Sequence, residues 1–420
     1  MLSKMGERAY LSPSSSAVPV AHRSAVTKLP IDVPLLLIVV CLLVFGLLMV
    51  YSSSWDASLL IDKPTTYVFT RQFLFVLLGI VVCVITSFFD YHKYGKYLVY
   101  MMAGVILLLF AVLIQGDVRF NSTRALFGGS IQPSELSKLA IIIYLSFWLS
   151  NKRENLSSVT LGLLPLAVIL GFIGGLIFIQ PDISAAATII MLGIMLFFLA
   201  GGEWRQLVVV VLVVGVVGGA VVAATATGKA RIDQYFNGLQ NPILGSYHIR
   251  RTFEAVIKGR WFGVGIGQAT TKFTGLPLPH TDSIFAVIVE ETGIIGGFMI
   301  ILLYIALLWR AFIISKRAPD QLGSLLSFGL LAWIVFEAIM NIAVIVGLIP
   351  FTGNALPLIS AGGSSMVTTM AAIGIAMNVS KQSISNTSNE RSFTSAFIDM
   401  RGRDGRRSVS SPDRGRETAS

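Results

Sequence analysis

Ten stretches of this 420-residue chain are apolar over lengths that cross a bilayer, and polar residues gather between them rather than alternating within them. A crossing needs ~20 residues at a rise of 1.5 Å each. The stretches fall at about 33–51, 70–89, 96–115, 134–150, 158–179, 183–201, 206–224, 283–309, 322–347 and 364–380. A membrane β-barrel would show alternation instead of unbroken runs. Backbone groups in lipid must also bond within their own segment, which helices do. The expected fold is therefore all-α and polytopic, with about ten transmembrane helices and a large extracytoplasmic loop between the seventh and eighth.

Three regions follow from the same pattern. Residues 1–31, rich in Ser, Pro and Ala, and residues 381–420, rich in Ser, Arg and Asp, lack apolar periodicity and read as disordered cytoplasmic tails. Residues 32–380 form the membrane domain, with 225–282 as the large external loop. No internal repeat of the transporter type is visible, and no cleavable signal peptide precedes the first run.

Composition agrees. Hydrophobic residues make up 54% and charged residues 13% of the chain, with a mean hydropathy of +0.77. Soluble domains carry about 25% charged residues, so a soluble protein is excluded. Lys and Arg concentrate in the tails and in alternate loops, which places both termini in the cytoplasm under the positive-inside rule. The loop 225–282 is the exception, with seven cations against Asp233, Glu254 and Asp282, a balance of +4. Either anionic headgroups or a phosphate-bearing ligand explains that excess; nothing suggests a nucleic-acid partner. Cys41 and Cys83 lie inside apolar runs and read as small buried hydrophobes. No Cys/His spacing or acidic cluster suggests a protein-built metal cage.

Within the loop, Ile249, Phe253, Val256 and Ile257 share one face of a short amphipathic helix, opposite Arg250, Arg251, Glu254 and Lys258. Its apolar stripe faces lipid or the bundle. The run Gly263-Val-Gly-Ile-Gly267 lacks the strand–helix unit of a nucleotide site, so its glycines point to a re-entrant turn or a close backbone approach.

Ionisable residues at membrane depth are costly, roughly 3 kcal/mol each, so each needs a role. Glu135 and Lys138 are i, i+3 and can pair, either as a structural ion pair or as the lining of a polar cavity. Asp182, in Gln180-Pro-Asp182, is a candidate helix cap. At least one of Glu290 and Glu291 should face the bundle interior, and Glu337 and Asn341 are spaced to share a hydrogen bond. Ser360 and Ser364 open the last span, where small hydroxylic residues let helices approach. Asp282, after His280 and Thr281, sits at a membrane edge beside the cationic loop. It is either a cap for the eighth span or a general base that takes a proton from an attacking hydroxyl, with cations absorbing the charge of an anionic leaving group.

Several segments together resemble the SEDS family (shape, elongation, division and sporulation) of the FtsW and RodA type. They are Tyr51-Ser-Ser-Ser, Ile131-Gln-Pro-Ser-Glu-Leu-Ser-Lys138, Gln180-Pro-Asp182, Gly263-Val-Gly-Ile-Gly267, Pro279-His-Thr-Asp-Ser-Ile-Phe-Ala286 with Glu290-Glu291, Asn341, and Leu356-Pro-Leu-Ile-Ser-Ala-Gly-Gly-Ser-Ser365, all in family order. The resemblance covers about residues 33–380. It implies polymerisation of lipid II into glycan strands, with Asp282 as the essential acidic residue, undecaprenyl pyrophosphate as leaving group, and Glu135 and Lys138 lining a central cavity. It places Gln132, Arg124, His280, Thr281, Asp182, Ser360 and Ser364, with the loop cations Arg250, Arg251 and Lys258, around the substrate. It also implies a divalent cation (magnesium or manganese, with Asp282 a possible ligand), a class B penicillin-binding protein as transpeptidase partner, other divisome or elongasome membrane proteins, and the bacterial cytoplasmic membrane. The long tails lean toward the FtsW type. A lipid II flippase and a non-catalytic scaffold are the alternative readings. Departures from the family pattern are Arg124-Ala125-Leu126 in place of an Arg-Trp, Ser130 in place of an Arg, and Leu278-Pro279 in place of a Glu-Ala.

Overall fold

The computed structural model describes residues 31–59, 62–115, 117–119, 122–125, 132–152, 156–240 and 246–404. The N-terminal tail and residues 405–420 lie outside them. The architecture is helical, with one small antiparallel hairpin of β1 (Asp117–Arg119) and β2 (Ser122–Ala125).

Each of the ten apolar segments falls on a helix. These are α1 (Val33–Ser53), α3 (Tyr67–Phe88), α4 (Leu98–Gln115), α5 (Pro133–Asn151), α6 (Leu164–Ile179), α7 (Ile183–Leu199), α8 (Trp204–Ala224), α11 (Ile284–Arg317), α12 (Gln321–Ile345) and α13 (Gly363–Asp404). Among the described residues, seven helical spans are long and apolar enough to cross a membrane. The other three of the ten fall short of that measure. Helix α7 has only 17 residues, α5 carries Glu135 and Lys138 in its first turns, and α13 runs on into polar sequence. The short α2 (Trp55–Leu59) links α1 to α3.

Burial explains which helices form the centre. Trp333 of α12, Phe197 of α7 and Ile141, Ile142 and Leu145 of α5 are fully enclosed. Leu37 and Val44 of α1, Leu74 and Val81 of α3 and Val216 of α8 are exposed. An outer belt of large apolar side chains is stable only against lipid, so the chain is a multi-pass membrane protein. Cys83 is buried, but Cys41 lies on that outer belt, because its turn of α1 faces away from the core; both are free.

The structure corrects the extent of three elements. The loop is not mainly irregular, since α9 (Ala226–Gln240) and α10 (Tyr247–Gly259) occupy much of it. Helix α13 passes the boundary expected at 380 and is helical to Asp404. Its first turns past that boundary are anchored by side chains: Ser380 Oγ donates to Asp32 at 2.9 Å and Gln382 Nε2 to Asp90 at 3.0 Å. Helix α11 is broken at Gly293, whose φ is +75°.

That break has a specific cause. In a continuous helix the amides of Ile294 and Ile295 would donate to the carbonyls of Glu290 and Glu291. Here they donate instead to Arg260 O (2.9 Å) and Trp261 O (3.3 Å), while Val264 N and Gly265 N take the freed carbonyls at 2.9 and 3.1 Å. The backbone of 260–265 is thus inserted into the helix with its hydrogen bonds exchanged rather than lost, as a polytopic protein requires. A Cβ at Gly263 would collide with the Glu291 carbonyl, and one at Gly293 with the Trp261 carbonyl. The glycine run therefore serves a close backbone approach.

Candidate functional site

The turn 277–283 enters α11 at the end of the bundle where α1 finishes and α5, α7 and α13 begin. Each of its three central carbonyls is held by a different donor. His280 O accepts from Ala361 N at 2.9 Å, Thr281 O from Ser360 Oγ at 2.7 Å, and Asp282 O from Asn341 Nδ2 at 2.8 Å. Ser360 Oγ in turn accepts from Leu356 N at 2.7 Å, and Asn341 Nδ2 also donates to Asn354 O at 2.6 Å. The main chain is fixed from α12 and the 354–361 segment, while the Asp282 side chain is only half-buried, beside Gly353. Position Ser283, not Asp282, is the helix cap, and it makes no capping bond through its side chain.

His280 is half-buried, and burial pushes its imidazole down to about 4, so it is neutral near pH 7. Its Nδ1 has no hydrogen-bond partner among the described residues. Thr281 Oγ1 turns back to Leu278 O at 3.4 Å.

A second polar group lies deeper. The Lys138 ammonium of α5 is bound by Glu135 at 2.7 Å and by Glu337 of α12, and it sits 5.5 Å from the centre of the Trp333 ring. All three charged groups are buried. Glu337 therefore pairs with Lys138 rather than with Asn341, which points one turn further along α12 to the Asp282 carbonyl. Asp182 caps α7 through Ala185 N at 3.3 Å and also accepts from Gln132 Nε2 and Ser134 Oγ at 3.1 Å each. Gln132 N donates to Ser364 Oγ at 3.1 Å. Ser360 and Ser364 thus join the two polar groups through one segment.

The loop cations sit on α10. Its buried face is His248, Thr252, Ala255 and Gly259, while Phe253 and Ile257 point outward. Of the apolar stripe, Phe253 and Ile257 thus face away from the bundle while Val256 packs against the core, and the small residues are the ones that approach α11. Arg251 and Lys258 both pair with Glu254, at 2.6 and 2.9 Å. Hydrogen bonds from Lys258 and Arg251 hold the Glu254 carboxyl below its ordinary range.

Sequence reasoning missed the role of Glu290 and Glu291 as loop anchors. Glu290 accepts from Thr270 N at 2.9 Å, Thr271 N at 3.3 Å and Thr271 Oγ1. Glu291 binds buried Lys272 at 2.9 Å and Ser52 of α1 at 2.5 Å. It also missed His248, described below. The adjacent acidic pair was the available signal for the first; His248 carries no signal beyond being a histidine. The Arg124 side chain lies outside the described residues, although its backbone is in β2.

Fold and site define the class: a polytopic helical membrane protein with a buried polar centre and a cationic helix, α10, packed against α11. Within that class the chain belongs to the FtsW, RodA and SpoVE family, described as cell cycle proteins, whose sequence model matches residues 33–385. It is 37% identical over 363 residues to stage V sporulation protein E of Bacillus subtilis, covering 84% of this chain and 97% of that one. It is 35% identical over 353 residues to the probable peptidoglycan glycosyltransferase FtsW of Trichlorobacter lovleyi, covering 83% and 93%. Among solved structures it resembles a chain from a peptidoglycan synthase complex that coordinates polymerization and crosslinking (TM-score 0.70, 23% identity, 84% and 98% covered). It also resembles the rod shape determining protein RodA of Thermus thermophilus (TM-score 0.63, 23% identity, 84% and 98% covered).

Proposed function

We propose that this chain is a peptidoglycan glycosyltransferase that polymerises lipid II, with Asp282 as general base. A sugar 4-hydroxyl of one lipid-linked chain attacks the anomeric carbon of another. Its proton passes to the Asp282 carboxylate, and the anomeric C–O bond to pyrophosphate breaks, releasing undecaprenyl pyrophosphate. The observation that carries the reading is the turn itself. Three donors fix the carbonyls of residues 280–282 while the Asp282 side chain is only half-buried. A base must be held in place before the reaction yet remain reachable by substrate. Relatives named as glycosyltransferases support the same reaction class.

The cations Arg250, Arg251 and Lys258 are assigned to the pyrophosphate, and Gln132, Glu135, Lys138, Asp182, His280, Thr281, Ser360 and Ser364 to the polar lining that holds or shapes the substrate site. Among the described residues no three His, Cys, Asp or Glu side chains converge. A magnesium or manganese ion would be shared between the Asp282 carboxylate and the substrate phosphates. Such an ion would supply positive charge to the leaving group. Ten crossings, with 225–282 outside and both termini in the cytoplasm of a bacterial inner membrane, complete the proposal. A class B penicillin-binding protein is the assigned partner, together with other divisome or elongasome membrane proteins.

The test is polymerisation of labelled lipid II by the purified protein, with and without its transpeptidase partner. Asp282→Asn should yield no glycan strands while the fold persists. Strands of native length from that variant would remove Asp282 from the chemistry.

A further inference from the structure

We infer that His248 is a positioning residue that latches the cationic helix α10 to the turn bearing Asp282, acting through the hydroxyl of Ser283. The inference rests on the reading of Asp282 as the base. Ser283 Oγ lies 2.9 Å from His248 Nε2 and 2.6 Å from Pro277 O. The Pro277 carbonyl can only accept, so the single hydroxyl proton of Ser283 goes there. The imidazole must then supply the other hydrogen, which makes Nε2 the protonated nitrogen and Ser283 Oγ its acceptor. One proton count thus fixes both the tautomer and the direction of the chain His248, Ser283, Pro277.

The surroundings make this a rigid connection. His248 is 8% exposed and Ser283 fully buried. The imidazole lies against the Phe351 ring at 4.0 Å between centroids. Phe351 is two residues from Gly353, where an added Cβ would meet Asp282 Oδ2 at 3.4 Å. Burial pushes His248 down to about 4, so the neutral form is the one present near pH 7. At the far end of α10 a Cβ on Gly259 would collide with the Val289 carbonyl, so that end is already seated on α11 by backbone packing. At the other end of α10 the His248 imidazole is enclosed beside Phe351, and its hydrogen bond to Ser283 joins that end to the turn. It therefore sets the distance between the cations of α10 and the carboxylate one residue before Ser283. Other ties to the turn come from α12 and the 354–361 segment, and this one comes from the cationic helix.

The experiment measures kcat and KM for lipid II polymerisation by the purified full chain for His248→Ala, His248→Gln, Ser283→Ala and the double variant His248→Ala/Ser283→Ala, with Asp282→Asn as the blank. Misplacing a catalytic group by ~1 Å costs up to about 100-fold. His248→Ala should lower kcat by roughly 10- to 100-fold with KM changed less. Gln carries an amide N–H at the position of Nε2, so His248→Gln should restore most of the lost rate. The double variant should be no slower than Ser283→Ala alone, because both act through one bond. A native kcat for His248→Ala, equal defects in the Ala and Gln variants, or multiplicative losses in the double variant would each overturn the latch. Should His248→Ala not fold, the Gln variant and Ser283→Ala decide, the latch requiring near-native kcat from the first and a loss from the second. An active Asp282→Asn blank removes the general base, whereas a dead blank with a normal His248→Ala removes only the latch.

Discussion

Two sets of carboxylates in this protein are held in opposite ways. At the turn, the protein binds the main chain on either side of Asp282 and leaves the side chain half-exposed. In the interior, Glu135, Glu337, Glu290 and Glu291 have their own carboxylate oxygens engaged by Lys138, Lys272, Ser52 and the Thr270–Thr271 amides. A buried carboxylate committed to an ion pair or to backbone amides is poorly placed to accept a proton from a ligand, although Glu135 Oε2 and Glu291 Oε2 have no hydrogen-bond partner among the described residues. One carried on a fixed turn and only half-buried is better placed. Under the proposed function the contrast separates a reacting carboxylate from buried, ion-paired ones, and each arm of it can be broken.

The largest effect should come from Asp282. General-base catalysis contributes about 10²- to 10⁴-fold, so Asp282→Asn should cut the polymerisation rate by at least that lower bound with an unchanged unfolding midpoint. The interior should respond in reverse. Lys138→Met leaves Glu135 and Glu337 buried without their cation, which costs about 3–5 kcal/mol of stability. Thermal unfolding in detergent should show it. If Lys138→Met were as stable as the parent protein, the cluster would not be the structural clasp its burial implies. Glu290→Gln keeps the shape but weakens a charge-assisted set of bonds, costing about 1–3 kcal/mol. Its expected signature is earlier proteolysis within 260–275, with the Asp282 turn unaffected.

The two histidines give the comparison a pH dimension. Burial depresses His248 and His280 to about 4 in the folded chain, below the ordinary value of 6.5 in an unfolded one. Below pH 6.5 the unfolded state binds protons that the native state excludes. Their contribution to stability is therefore complete above that pH and is lost progressively as pH falls toward 4. Unfolding midpoints measured from pH 7.5 to 5 should decline, and His248→Gln should flatten the decline. A midpoint indifferent to pH over that range would show that neither ring is held neutral by burial.

How much of this was legible in the sequence depended on whether a signal was local. The apolar segments were legible because helix formation in lipid needs only length and hydropathy, and the Glu135–Lys138 pair because i, i+3 spacing fixes it within one helix. Helix α10 was legible from its periodicity, although not the face it buries, since His248, Thr252 and Ala255 look less like a packing surface than Ile249 and Phe253 do. Interactions across the chain were not legible. Glu337 was matched to Asn341, its neighbour on the same helix, whereas its partner is Lys138, 199 residues away. The break in α11 needs the backbone of 260–265 inserted at Gly293, and no pattern in 284–317 alone announces it. Helix α9 was missed because a polar segment without an apolar stripe gives no period to read.

The smallest effect should come from the cations of α10. Arg250, Arg251 and Lys258 are accompanied by Glu254, which already pairs with two of them. Solvent-screened charges of this kind contribute little each. Replacing all three by Gln should therefore weaken lipid II binding only several-fold, and the dependence of binding on ionic strength should flatten with it. Glu254→Gln sharpens the test, since it frees Arg251 and Lys258 and should tighten binding while steepening the salt dependence. If α10 guides a pyrophosphate, the two variants must move affinity in opposite directions. If its charge serves only the membrane surface, both should leave lipid II affinity in detergent unchanged and alter only the protein's association with anionic vesicles.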